Sequence, residues 1–358
     1  MFLFKFTSWG STRSRVFGVA AGAVAAAAIM AAPSLAGTVT FGGNGVGQSF
    51  GMDFVTIGNP GNAADTDPTA APLNAGSVGR TFDINKFEVS RGMIEAYNAN
   101  PGVVRITMQD MSAGAGGSNN GGNGVDRPAT GTSWNEAARF VNWLNTQKGF
   151  APAYKFTTNG FNDNIVLWDQ TADPLDFDAS NRYRSKRSNF FLPSFNEWYK
   201  AAHYDPSANG GAGGYWDYAN GSNTAPTAVA GGTASNTAVY LQTASQGPAD
   251  VKNAGGLSPY GVMGLGGNAI EWEESSFDLL NSAGSSNRGY RGGAWQSVAE
   301  RISVSGRRGD EGPTFEDNEV GFRVASYNSD AVVPEPSMMV IGMVFGLGGL
   351  AAKRRMKK

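Results

Sequence analysis

The sequence predicts an α+β fold, a single irregular domain with few helices, short strands and long glycine-rich loops. Three observations carry this expectation. Glycine supplies 50 of the 358 residues, about twice the usual ~7%, which demands many tight turns and disfavours a helical bundle. Complete helix-start signatures occur at two places, each opening a short periodic run. Elsewhere the apolar stretches are short and alternate with polar residues, as half-buried strands do. Hydrophobic residues make up 41%, enough for a sizeable core. No Gly-x-y period and no 20–50-residue repeat is present, which excludes collagen and solenoids.

Along the chain, residues 37–80 read as Gly, Asn, Asp and Ala loops around one short strand, Phe54-Val55-Thr56-Ile57. Val78, Phe82 and Ile84 alternate with polar residues, and Phe87 and Val89 continue on a shifted register, as a bulge allows. Ser90 is placed to cap a short helix with Met93, Ile94 and Tyr97 on one face. Residues 110–128 form a Gly/Asn/Ser loop. Ser133 and Glu136 then make a capping box, and Ala137, Phe140, Val141 and Leu144 follow at helical spacing until Gly149. A second box, Ser194 with Glu197, opens a helix over Phe195–Ala202. The span 205–259 is loop-like around an aromatic island, Tyr215-Trp216-Asp217-Tyr218. Short strands are expected at Tyr290–Trp295 and Val320–Ala325.

The two ends read as addresses. Lys5, Arg13 and Arg15 precede a small, apolar stretch from Val16 to Ala32, and Ser34-Leu35-Ala36 offers a small-x-small cleavage pattern, so residues 1–36 are expected to be a signal peptide. At the other end, Val333-Pro334-Glu335-Pro336-Ser337 precedes an apolar run from Met338 to Ala352 and a basic tail, Lys353–Lys358. Fifteen residues span about 22 Å as a helix, marginal for a ~30 Å hydrocarbon layer, with flanking lysines and arginines free to snorkel. This order resembles the PEP-CTERM sorting signal of exported bacterial proteins. The resemblance implies an exosortase acting near Pro334, Glu335 and Pro336, export machinery as a partner, and transient inner-membrane attachment through residues 334–358. The expected destination is the cell surface or the extracellular matrix. The folded domain is then 37–333.

Composition excludes much chemistry. There is no cysteine, so disulfides, thiol catalysis, zinc knuckles and iron–sulfur clusters are ruled out. A single histidine, His203, cannot build a multi-histidine metal centre, so any metal must be hard and oxygen-ligated. Setting aside the three basic residues of the first 36, and the five basic residues and one acid from Pro334 onward, leaves 20 basic and 29 acidic residues, a net charge of −9. Nothing in that balance suggests a phosphate-backbone binder. The run Arg182-Tyr183-Arg184-Ser185-Lys186-Arg187 is expected to be a solvated loop.

Five segments in chain order carry a wider resemblance. They are Phe87-Glu88-Val89-Ser90, Pro128–Ala137 with its Gly131-Thr132-Ser133-Trp134-Asn135-Glu136 centre, Leu192–Ala202, Tyr260–Trp272, and Arg291-Gly292-Gly293-Ala294-Trp295 closing with Gly321-Phe322-Arg323-Val324. Together they resemble the formylglycine-generating enzyme family, the sulfatase-modifying factor domains, over about residues 50–326. The resemblance implies a single compact domain related to C-type lectins. In that family two cysteines after the Arg-Gly-Gly segment bind copper and activate oxygen. The matching positions here hold Ser297 and Ile302, neither of which supplies a thiolate. Formylglycine chemistry is therefore expected to be absent, with no copper, iron or zinc.

The family's Gly-Asn-x-x-Glu segment wraps calcium. The resemblance places Glu271 as the acidic ligand and Gly267 and Ala269 as carbonyl donors, while the family's side chain seven residues before the glutamate is Gly264 here. A weak calcium site is the expectation, against Glu271 bonding loop amides alone. The aromatic island at Tyr215, Trp216 and Tyr218, together with Ser297, is the expected ligand surface. Trp134, Trp198, Trp272 and Trp295 are expected in the core, and Arg291 and Arg323 pinning loops. His203 sits at a helix end, where a cation meets the dipole favourably. Glu271, Glu273 and Glu274 could suggest a glycosidase pair, but Glu271 has a structural role in the resemblance. The expected function is a ligand-binding module for a polysaccharide or another exported protein. The alternatives are an enzyme with an unrecognised site and a structural matrix component.

Overall fold

The computed structural model describes residues 35–43 and 48–327; residues 1–34 of the expected signal peptide and the Pro-Glu-Pro ending lie outside them, while Leu35 and Ala36 begin the first strand. Among the described residues no helix is long and apolar enough to cross a membrane. Strand β1 (Leu35–Gly42) buries Val39 and Phe41 while Thr38 and Thr40 face out. It pairs antiparallel with β2 (Ser49–Ile57), Val39 opposite Met52 and Phe41 opposite Phe50. The patch expected at 54–57 is thus the end of a longer strand. β3 (Phe82–Asn85) pairs antiparallel with β2 and is buried throughout, but stops before Phe87, so the expected bulged continuation is absent.

Two further strands complete this sheet, in the order β1-β2-β3-β12-β4. β4 is Phe190–Phe191 and β12 is Ala325–Ser326, with Ala325 opposite both Ile84 and Phe191. Aromatic rings tie the sheet to the longest helix. Phe41 meets Trp143 at 6.5 Å, and Phe50 stacks on Phe140 at 5.9 Å. Such pairs add about 0.5–1.5 kcal/mol beyond their area burial.

The helices start where the local chemistry says. In α1 (Arg91–Asn98) the Ser90 hydroxyl accepts from the Met93 N–H. In α2 (Trp134–Gln147) and α3 (Phe195–His203) both reciprocal bonds of the capping boxes form, Ser133 with Glu136 and Ser194 with Glu197. Four two-residue strands punctuate the loops between α3 and residue 240: β5 (Tyr204–Asp205) with β6 (Gly214–Tyr215), and β7 (Thr227–Ala228) with β8 (Thr237–Ala238).

A second sheet positions the site. β9 (Ile270–Ser276) is central, with β10 (Arg288–Arg291) antiparallel and β11 (Val320–Gly321) parallel to it. Arg291 and Gly321 both register on Glu271. The single run expected over Val320–Ala325 is therefore two strands in two sheets. Two indole N–H groups lock the second sheet to the start of α2: Trp134 Nε1 donates to the Glu273 carbonyl and Trp272 Nε1 to that of Thr132, each at 2.9 Å. Trp134, Trp198, Trp272 and Trp295 are all core side chains.

Candidate functional site

β9 is an unusual strand, because every residue is buried and three of its seven side chains are glutamates. A buried carboxylate survives only if paired and hydrogen-bonded. Each has its arginine. Arg323 donates from Nε and Nη2 to Glu271 at 2.6 and 2.5 Å, and Trp198 Nε1 donates to the same carboxylate at 2.6 Å. Glu273 is ion-paired with Arg291 at 2.8 Å and Arg307 at 2.9 Å. Glu274 takes Arg184 from Nε and Nη2 at 2.7 and 2.6 Å and the Tyr154 hydroxyl at 2.9 Å. Arg323 also donates to the carbonyls of Asn85 and Met263, and Arg291 to that of Ala71. These groups are framework. Arg184 corrects the sequence expectation of a solvated basic loop: it is 4% exposed, bridges Glu197 and Glu274, and lies 3.6 Å over the Phe191 ring. Its partners are remote in sequence, so a local charge run could not reveal it.

The expected calcium ligand Glu271 is engaged in an ion pair in this arrangement. Both oxygens of Glu271 face Arg323, and a guanidinium at hydrogen-bond distance opposes a second cation there. Gly267 is needed for the turn itself. Its φ is +107°, and a Cβ there would lie 2.3 Å from the Val239 carbonyl oxygen. The Ala269 N–H donates to Glu88 at 3.0 Å, and the Asn268 side chain donates to the other Glu88 oxygen at 2.7 Å. Glu88 thus occupies the space beside Gly264, where an added Cβ would sit 3.0 Å from its Oε2. Burial, with repulsion from Glu271, pushes the Glu88 carboxyl up to about 8. Its role was not legible, although it lies within the first family segment.

The open feature lies beyond β10. Arg291 is followed by two glycines with φ of +91° and +69°, which turn the chain sharply into the Ser297 loop. A Cβ on Gly293 would sit 2.6 Å from Ile302 and 3.2 Å from the Ser297 Cβ, so those two positions meet across this glycine. Ile302 is buried. Ser297 is half-buried, and its hydroxyl oxygen accepts from the Ala294 N–H at 2.9 Å. Beside Ser297 opens a cavity of about 200 Å³, lined among others by Tyr290, Gln296, Val298, Arg301, Arg308 and Glu319. Of these only Ser297 was singled out from the sequence. Three arginines between residues 301 and 308, in a chain with 16% charged residues, were the available signal.

The aromatic island is not gathered at this cavity. Tyr215 is half-buried; its hydroxyl accepts from the Asn62 side chain at 2.7 Å and donates to the Ala63 carbonyl at 2.9 Å. Trp216 Nε1 donates to Asp205, and Tyr218 bridges to Ser222 and Ser303. These loop residues pack inward because their neighbours offer partners. His203 is buried, with Nδ1 3.1 Å from the Trp216 carbonyl; burial and then Arg291 push it down to about 3, so it is a neutral donor and not the helix-end cation expected.

A family model described as sulfatase-modifying factor enzyme 1-like domain matches residues 38–327. No curated protein matches. Among solved structures, CarF is similar at a TM-score of 0.50 with 18% identity, over 77% of this chain and 98% of that one. Treponema denticola variable protein 1 is similar at 0.49 with 20% identity, over 81% and 98%. PvdO from Pseudomonas aeruginosa is similar at 0.48 with 16% identity, over 79% and 98%. Likeness at such identities speaks to fold alone. The family match, by contrast, runs from within β1 to just past β12, through both sheets and all three capped helices, and the chain belongs to the sulfatase-modifying factor enzyme 1-like family.

Proposed function

We propose that this protein is exported to the cell surface or matrix and uses its domain as a non-catalytic binding module, with the ligand entering the cavity beside Ser297. The observation that carries this is that Ser297 and Ile302 both flank Gly293, Ser297 lining the cavity and Ile302 buried outside its lining. By resemblance these are the copper-binding cysteine positions. A hydroxyl tied to a backbone amide and a buried aliphatic chain supply no thiolate there. What remains is an arginine-braced scaffold carrying a cavity on loops, which suits recognition. Export is supported by the signal-like first 36 residues and by the Pro334-Glu335-Pro336 ending with its apolar run and basic tail.

The test is incubation with copper, oxygen and a cysteine-containing sulfatase peptide, read by mass spectrometry. No formylglycine is expected. Turnover that disappears in Ser297→Ala would overturn the reading.

A further inference from the structure

The lining of the Ser297 cavity points to a ligand chemistry. Arg301 and Arg308 are both exposed cavity residues, and neither guanidinium has a hydrogen-bond or ion-pair partner among the described residues. This contrasts with Arg184, Arg291, Arg307 and Arg323, each matched to a carboxylate. The counter-charge in the cavity is Glu319, half-buried and bonded to the Gln296 amide at 2.9 Å. Asp310, outside the lining, also lies within electrostatic reach of both guanidiniums, so what sets the cavity apart is two arginines with no hydrogen-bonded carboxylate, in a domain of net charge −9.

The rim adds a second component. Val298 lines the cavity and is 49% exposed. Leu241 is 56% exposed, and its N–H donates to the Ser297 carbonyl at 3.0 Å. Its φ of +54° is a left-handed conformation that leucine adopts at a cost, and residues held this way cluster at binding sites. Val298 in the lining and Leu241, bonded to Ser297 through the backbone but outside the lining, are both aliphatic. The one aromatic ring of the lining, Tyr290, is 4% exposed, packs edge-on against Trp272 at 5.3 Å and bonds Asp310. The cavity therefore offers no open aromatic face of the kind on which sugar rings stack.

We infer that the Ser297 cavity binds an acidic peptide segment, with a carboxylate between Arg301 and Arg308 and a neighbouring aliphatic side chain against Leu241 and Val298. This rests on the reading of the cavity as the ligand site. Arginine suits a planar carboxylate because its fork donates two parallel hydrogen bonds. The Ser297 hydroxyl, whose oxygen already accepts from Ala294, keeps its proton free to donate.

The experiment is selection of a random linear peptide display library on the immobilised full-length protein, with an array of acidic and neutral glycans as the second arm. Peptides placing Asp or Glu beside Leu, Ile or Val should be enriched. A labelled peptide from that pool should bind about tenfold more weakly to Arg301→Gln or Arg308→Gln, which at exposed sites leave the fold intact. Its affinity should also fall with added salt. Ser297→Trp, filling the cavity, should abolish binding. Enriched peptides without acidic residues that are still lost in Ser297→Trp would overturn the acidic assignment while leaving the cavity as the ligand site. Uronate-bearing glycans bound without any peptide enrichment would replace the peptide by a saccharide. Peptide binding unchanged in all three variants, or no enrichment in either arm, would overturn the inference. Catalysis in this fold is read separately by the formylglycine assay.

Discussion

Glu271 and Arg323, 52 positions apart, form a two-point ion pair with no solvent exposure on either side chain. The pair links the start of β9 to the segment between β11 and β12. Removing one member leaves a buried charge without compensation, which costs about 3–5 kcal/mol. Arg323→Met should lower the urea midpoint accordingly, because the Asn85 and Met263 carbonyls lose a donor as well. The double variant Glu271→Leu/Arg323→Met should be more stable than Arg323→Met alone. A double variant no better than the single would show that the carboxylate is not the burden.

The same pair bears on calcium. With Arg323 on both Glu271 oxygens, an ion cannot gain the stabilisation that mass action gives a folded-state ligand. Melting temperatures in millimolar calcium and in chelator should coincide. A calcium-dependent rise would show that Glu271 exchanges its guanidinium for the metal.

Glu88 gives the pH response. Its carboxyl is raised from 4.5 to about 8 by burial first and Glu271 second. Between those values the folded chain keeps a proton that the unfolded chain has released. Stability therefore falls as pH rises through this window, by roughly 5 kcal/mol at most. Glu88→Gln has no proton to lose, so its melting temperature should decline less than the wild type's between about pH 5 and about pH 9. Parallel curves would remove Glu88 as the cause.

Processing is checked by intact mass. Secreted material should begin near residue 37 and end near Pro334-Glu335-Pro336. An intact Lys353–Lys358 tail on protein outside the cell would contradict the sorting reading.

Legibility followed the range of the interactions. Ser133 with Glu136 and Ser194 with Glu197 close over three residues, so both helix starts could be read directly. β1 carried a readable period-two signal in Thr38-Val39-Thr40-Phe41, hidden by the glycines around it. β9 was not readable as a buried strand. Three glutamates in seven residues look solvent-exposed until Arg184, Arg291, Arg307 and Arg323 arrive from distant segments. The Ser297 position was found through the resemblance, whereas Arg301, Arg308 and Glu319 converge only in three dimensions.

The place of β12 between β3 and β4 has a consequence for how the protein reaches its folded state. A chain delivered across a membrane from its amino end presents β1, β2, β3 and β4 well before Ala325 and Ser326. Until those two residues arrive, β3 and β4 face each other across a gap one strand wide, with open backbone edges on both sides. The keystone is thus added last. The chain has to be available almost to residue 326 before the sheet can close, and the slow, long-range pairing falls last. On the proposed export route, those unfinished edges are the surface that has to be kept from pairing with other chains.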